Sequence, residues 1–169
     1  MSRLFISSDT ARSRMENFMN LAAIIAEYNP LHNGHSWHIA ETKRLTGADG
    51  IIVLLSGCFV QRGEPAIYDK YLRTRTALLA GADVVLELPT VSACGSAEYF
   101  ADGAIRILNG LGCVSRLSFG CETDDLATLQ QLVSFLAEES SSYKQALRDA
   151  LASGLSFAAA REQAVRACL

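Results

Sequence analysis

The chain has little that would tie it to a membrane, an oxidising compartment or a polyanion. No run approaches the ~18 apolar residues of a membrane helix. The first twenty residues, MSRLFISSDTARSRMENFMN, lack the long apolar run of a signal peptide. No CxxC pair occurs. The five cysteines, Cys58, Cys94, Cys113, Cys121 and Cys168, are odd in number and widely spaced. That argues against a disulfide framework and a thiolate zinc site, and for reduced thiols in a cytoplasmic protein. Positive charge is also short: 15 Lys and Arg stand against 18 Asp and Glu, a formal charge of −3. The bulk charge therefore carries no electrostatic footprint for nucleic acid. Histidine is sparse too, yet all three, His32, His35 and His38, fall inside EYNPLHNGHSWHI.

What is present describes a globular domain. The 169 residues are 50% hydrophobic and 20% charged, enough to bury a proper core. Residues 1–20 read as a polar leader, expected to be disordered or poorly packed, and the patterned domain is expected to run from 21 to 169. From Leu21 buried-strand patterns alternate with helical ones. LAAIIAEY reads as a strand buried on both faces, and GHSWHIAETKRLTG as a helix with Trp37, Ile39, Ala40 and Leu45 available for packing. GIIVLLSG (50–57), DVVLELP (83–89) and SRLSFGCE (115–122) read as further strands. Helices are expected over 68–82, 96–112, 124–140, 143–152 and 158–168, the fourth-strand helix being opened by acidic capping candidates. Four strand–helix alternations predict a doubly wound parallel α/β sheet, with ligands at the carboxyl ends of its strands. The loops around 29–35, 56–63, 89–96 and 119–122 should then meet at one cleft.

The histidine cluster passes that test, because it follows the first strand and opens the first helix. Asn29–Pro30 suits a turn, and Asn33–Gly34 lets backbone approach a ligand closely. A helix start after Gly34 offers N–H groups and a positive dipole end to an anion, with His32 and His35 on either side as further donors. Three readings compete: phosphate binding, a metal site, and an unrelated helix-start cluster. No carboxylate pair or cysteine stands in ligand register with His35 and His38, which weakens the metal reading. His38 reads as a packing or supporting residue.

HNGH after a buried strand resembles the HxGH signature of the nucleotidylyltransferase superfamily, which also embraces class I aminoacyl-tRNA synthetases. The longer stretches AEYNPLHNGHSWHI, LSGCFVQRGEPAIYDKYLRTRTALLAGADVVLELP, SAEYFADGAI and LSFGCE together resemble the bacterial tRNA(Met) cytidine acetate ligase family, from about residue 21 onward. The resemblance implies a Rossmann-like sheet of the nucleotidylyltransferase (HUP) type. It also implies an ATP-dependent ligase that activates acetate as acetyl-adenylate and then forms N4-acetylcytidine at the wobble position of elongator tRNA(Met). It assigns ATP, with Mg2+ on the triphosphate, to Ile25, Ala26, Glu27, Tyr28, Asn29, Pro30, Leu31, His32, Asn33, Gly34, His35, Ser36, Trp37 and His38, with Gly120 as a further contact. His32, His35, Arg62 and Lys70 are the expected catalytic residues, and no metal ligand is assigned among the side chains.

The second loop, SGCFVQRGEPAIYDKYLR, supplies Gln61, Arg62, Lys70 and Arg73 as candidates for a cationic clamp on phosphates or acetate. Lys70 and Arg73 could instead simply solvate a helix face. Glu87 and Glu98 could orient these cations or cap elements. Leu31 and Trp37 stand where the family usually carries other aromatics, and Cys58 where it often carries a small residue. Family members continue further, into a second nucleotide-contacting loop and a tRNA-binding region. The chain is therefore expected to carry the HxGH half of a site, as a domain fragment, a truncated gene product or a natural short relative. Alone, it should bind tRNA(Met) poorly. The alternatives are a small-molecule nucleotidylyltransferase and an inactive nucleotide-binding module.

Overall fold

The computed structural model describes residues 2–7, 19–121 and 125–169. The chain divides into two compact units, Met1–Glu122 and Thr123–Leu169. In the first, strands β1 (Ser2–Ser7), β2 (Leu21–Ala26), β3 (Gly50–Ser56), β4 (Val84–Leu88) and β5 (Val114–Cys121) form one sheet. Helices α1 (Asn33–Thr46), α2 (Lys70–Leu79), α3 (Thr90–Ala93) and α4 (Ala97–Leu111) connect the strands, with a 3-10 turn at Gln61–Gly63. The order is β1-β5-β2-β3-β4. The pairs β5–β2, β2–β3 and β3–β4 are parallel, as the alternating pattern requires, and β1 adds to the β5 edge antiparallel.

That edge corrects the sequence reading of an unpacked leader. Ser2–Ser7 pairs residue by residue with β5, from Ser2 opposite Cys121 to Ser7 opposite Arg116. A six-residue strand is too short to declare itself by periodicity, and an edge position needs only backbone hydrogen bonds on one side. The rest of the leader, residues 1 and 8–18, lies outside the described residues, as do the acidic positions Glu122 and Asp124.

The sheet is covered on both faces, and β3 shows why. All seven of its residues are buried. Alternate side chains leave on opposite sides: Ile51, Val53 and Leu55 join Ile39 of α1 and Ala77 of α2, while Ile52 and Leu54 join Ala93, Ala104 and Leu108 of α3 and α4. Each Ile, Val or Leu among them contributes ~1.5–3 kcal/mol on burial, and each Ala less. The apolar run thus reflects burial on both faces, as its pattern requires. The packing face of α1 differs from the expected one, because Trp37, Ala40 and Leu45 are exposed and the buried stripe is Ile39, Thr42 and Thr46. Two threonines can occupy that stripe because each hydroxyl is bonded: Thr42 Oγ1 pairs with Ser118 Oγ, and Thr46 Oγ1 donates to the Thr42 carbonyl.

The second unit holds α5 (Leu126–Glu138), α6 (Ser141–Ala152) and α7 (Phe157–Cys168). Each starts on a side-chain cap: Asp125 accepts from Thr128 N–H, Ser140 from Tyr143 N–H and Ser156 from Ala159 N–H. Phe135 of α5 meets Tyr143 of α6 edge-on at 5.4 Å. These helices were expected within one patterned domain. Helical periodicity locates them but does not reveal that they form a compact unit of their own.

Candidate functional site

The switch in strand order falls between β2 and β5. From β2 the chain proceeds outward to β3 and β4, then returns to the other side of β2 as β5. Side chains at the carboxyl ends of β2 and β5 therefore border an open crevice, the usual ligand position in such sheets. A cleft of about 510 Å³ lies there. Ile24 to Pro30 form one wall, His32, His35 and His38 face it from α1, and Phe119 and Gly120 close it from β5. His32 and His35 of HNGH and Phe119 and Gly120 of SFGC thus border one cleft, whereas no residue of the loops 56–63 and 89–96, expected to meet there too, lines it.

The histidines are held by their own backbone. His32 is the N-cap of α1, and its Nδ1 accepts from the Gly34 N–H at 3.1 Å. Reciprocally, His35 Nδ1 accepts from the His32 N–H at 3.2 Å. This is a capping box in which two imidazoles replace the usual hydroxyl and carboxylate. With both Nδ1 atoms accepting, the proton of each neutral ring belongs on Nε2, the atom left for an occupant of the cleft. Burial first, and then the neighbouring His32 and His38, pull His35 below the ordinary histidine value. His35 also lies 4.8 Å from the ring of Tyr28, a buried residue with φ of 46° at the bend that leaves β2.

The cap corrects one expectation. Not all N–H groups at the helix start are free, since Gly34 N–H is taken by His32 Nδ1 and His35 N–H by the His32 carbonyl. An anion here meets chiefly the two Nε2–H donors and the positive end of α1. His38 faces the cleft and is also anchored: its Nε2 lies 2.9 Å from Ser118 Oγ, which in turn lies 2.7 Å from Thr42 Oγ1. That chain ties α1 to β5 two residues before Gly120. Sequence reasoning gave no role to Ile24 in the cleft wall or to the Ser118 hydroxyl, although Ser118 and Phe119 lie inside LSFGCE. Leu31, Asn33, Gly34, Ser36 and Trp37, assigned by resemblance, do not line the cleft.

The second loop is stitched to the first. Gln61 N–H donates to Glu27 Oε1 at 2.7 Å, and Ile67 N–H to Asn29 Oδ1 at 2.7 Å. Arg73, only 1% exposed, joins both loops: Nε donates to the Tyr68 carbonyl, Nη1 to that of Glu27 at 2.7 Å and Nη2 to that of Gly57. The expectation that Arg73 clamps an anion is therefore corrected, because its guanidinium is committed to backbone carbonyls. Arg62 is exposed, with φ of 70°, directly after the residue Glu27 holds. Lys70 pairs with Glu87 Oε2 at 2.7 Å in the adjoining hollow, so Glu87 orients a cation while Glu98 sits in the first turn of α4. Among the described residues no group of three His, Cys, Asp or Glu side chains could hold a metal ion, and no helix is long and apolar enough to cross a membrane.

Known proteins resemble this chain over most of its length. The tRNA(Met) cytidine acetate ligases of Acetivibrio thermocellus and Caldicellulosiruptor saccharolyticus are each 51% identical over 148 residues, 88% of this chain. The chain spans 36% and 37% of their lengths. The crystal structure of Thermotoga maritima TmcAL bound with alpha-thio ATP superposes with a TM-score of 0.81 at 42% identity, over 87% of this chain and 36% of that one. Its apo form superposes equally well. Residues 19–168 match the HIGH Nucleotidyl Transferase family model, which covers most of the chain and both HNGH and the strands that frame it, and the chain belongs to that family.

Proposed function

We propose that this chain is the ATP-binding, acetate-activating part of a tRNA(Met) cytidine acetate ligase acting in the cytoplasm. An acetate oxygen attacks the α-phosphorus of ATP, the bond to the β-phosphate breaks, and pyrophosphate leaves. The exocyclic amine of the acceptor cytidine then attacks the acetyl carbonyl and AMP departs. The observation that carries this reading is the reciprocal cap of His32 and His35, which fixes both tautomers and leaves two Nε2–H donors in one cleft.

Those donors would meet phosphate oxygens and gain strength as charge develops on the transferring phosphorus. Gly120, without a side chain, lets a nucleoside lie against the end of β5. Glu27 to Pro30 form the wall that positions it. Arg62 supplies positive charge from the rim, and Lys70 acts from the adjoining hollow. Mg2+ accompanying the nucleotide would offset phosphate charge, and Glu27 is the carboxylate that the cleft wall would offer it. Elongator tRNA(Met) is the acceptor of the complete reaction.

Acetate-dependent exchange of labelled pyrophosphate into ATP tests the reading. Exchange that requires acetate and disappears in His35→Ala is the expected result. Exchange supported by another acceptor, without acetate, would replace it with a small-molecule nucleotidylyltransferase. ATP binding with no exchange under any acceptor would leave a nucleotide-binding module.

A further inference from the structure

Beside the histidine cleft, over the carboxyl ends of β3 and β4, lies a second hollow of about 380 Å³ under the start of α2. Its volume is in the lower range of small-molecule pockets, suited to a single nucleoside. Leu55 and Val85 give it an apolar floor, Tyr71 an aromatic edge, and Lys70 and Glu87 a charged end. The cleft and the hollow are neighbours through Arg73, whose guanidinium bonds Glu27 O in the first loop and Gly57 O in the second. Adjacent strands lie ~4.8 Å apart, so a base over β3 and β4 sits on the order of 10 Å from a phosphate over β2.

The charged end has a defined donor–acceptor order. Glu87 Oε2 is taken by Lys70 Nζ at 2.7 Å, while Oε1 accepts no hydrogen bond among the described residues. The carboxylate rests against Gly57, where a methyl group would overlap Oε1. Glycine there is therefore what lets Glu87 lie in this position. Lys70 spends one of its three N–H donors on Glu87, and its Nζ lies 5.7 Å from the Tyr71 ring centroid. Side by side, the pair presents a free carboxylate oxygen and free ammonium N–H groups.

We propose that this hollow receives the acceptor cytosine. The ring's exocyclic amine donates to Glu87 Oε1, its N3 and O2 edge accepts from Lys70, and Tyr71 offers a stacking surface. Uracil turns a carbonyl oxygen toward the same carboxylate, so the order of charges discriminates between the two pyrimidines. The inference rests on the function proposed above, since it names where the second substrate of that reaction is read. Adenine shares the amine–acceptor edge, and the test is therefore run with the nucleotide cleft filled.

With ATP at saturation, amide resonances of the chain are followed while cytidine 5′-monophosphate or uridine 5′-monophosphate is added. Shifts at residues 55–57, 70–74 and 85–87, with cytidine favoured at least about tenfold, are expected. In Glu87→Gln the amide can turn either its carbonyl or its NH2 to the base, and the preference should fall to within about threefold. Equal shifts from both nucleotides, shifts confined to the histidine cleft, or none at millimolar cytidine nucleotide would overturn the pocket, as would unchanged selectivity in Glu87→Gln. Pyrophosphate exchange by the unmodified chain is read in parallel. Loss of its acetate dependence counts against the proposed function, whereas absent cytidine selectivity with intact exchange counts against this pocket alone.

Discussion

The imidazoles of His32 and His35 stack 3.7 Å apart at an interplanar angle of 22°, each accepting a backbone N–H on Nδ1. One arrangement thus caps a helix and aims two donors. The two roles separate by substitution. His32→Asn keeps a good N-cap acceptor but removes the Nε2–H, whereas His32→Ala removes both. Acetate-dependent exchange should fall roughly 10²–10³-fold in both variants, as for loss of one transition-state donor. Chemical denaturation should show His32→Ala less stable by about 1 kcal/mol, with His32→Asn close to the unmodified chain. Equal exchange rates in all three proteins would remove His32 from the chemistry.

The same cap makes the site sensitive to acid. A protonated His35 carries hydrogen on Nδ1 and cannot accept from the His32 N–H. Its folded-state value lies below the ordinary 6.5, through burial first and then His32 and His38. The unfolded chain therefore takes up the proton first as pH falls. The stability linked to neutral His35 is present above about pH 6.5 and declines from there down through the depressed folded value. The thermal midpoint should drop between pH 7 and pH 5, and His35→Gln should drop less over the same interval. A variant with an unchanged slope would show that other groups control the acid limb.

Arg73 illustrates what sequence could and could not disclose. Strands β2 to β5 and the helices between them were legible because a sheet buried on both faces needs continuous apolar runs, and β3 supplies five such residues, Ile51 to Leu55. HNGH was legible because a motif directly after a strand lands at the switch point. Arg73, however, lies in a helix next to Lys70 and looks like another surface cation. Its burial follows from the convergence of Tyr68, Glu27 and Gly57 carbonyls, residues 5, 46 and 16 positions away. No local pattern encodes that meeting. The His32 cap was hidden for a different reason: histidine is not the expected capping residue, so a ligand role seemed to exhaust its purpose. The edge strand β1 was hidden because its partner, β5, lies more than a hundred residues away.

Replacement of Arg73 follows directly. Lysine carries the charge but one nitrogen, and cannot reach three carbonyls that diverge around a planar fork. Arg73→Lys should cost about 2–4 kcal/mol in denaturation, from lost charge-assisted hydrogen bonds and carbonyls left unpaired. Because those carbonyls belong to both loops, ATP affinity should weaken as well. Unaltered stability would show that water replaces the guanidinium without penalty.

Ser118 offers a gentler test of the link between α1 and β5. Ser118→Ala leaves Thr42 Oγ1 and His38 Nε2 without the hydroxyl that joins them. Burial of Thr42 makes that loss worth about 1–3 kcal/mol in stability. Gly120 and the histidine pair would no longer be held in register, so KM for ATP should rise several-fold with a smaller change in kcat. An effect on kcat alone would assign His38 to the chemistry rather than to positioning.

Binding of nucleic acid by these residues should be weak and strongly dependent on salt. Affinity for RNA comes largely from displacing counterions with Lys and Arg, and the chain carries an excess of three acidic groups. Several of its cations are also engaged: Arg44 by Glu41, Arg106 by Asp102, Lys144 by Glu139 and Arg166 by Glu162. Arg73 faces inward, and Lys70 shares its charge with Glu87. Among the described side chains, what remains near the cleft is chiefly Arg62, which can contribute one or two phosphate contacts. Filter binding of elongator tRNA(Met) to this chain should therefore show measurable retention at low salt and almost none at physiological salt. Removing Arg62 should shallow the salt slope by roughly one unit. Tight binding that survives physiological salt would mean that base or shape recognition by these 169 residues outweighs their charge.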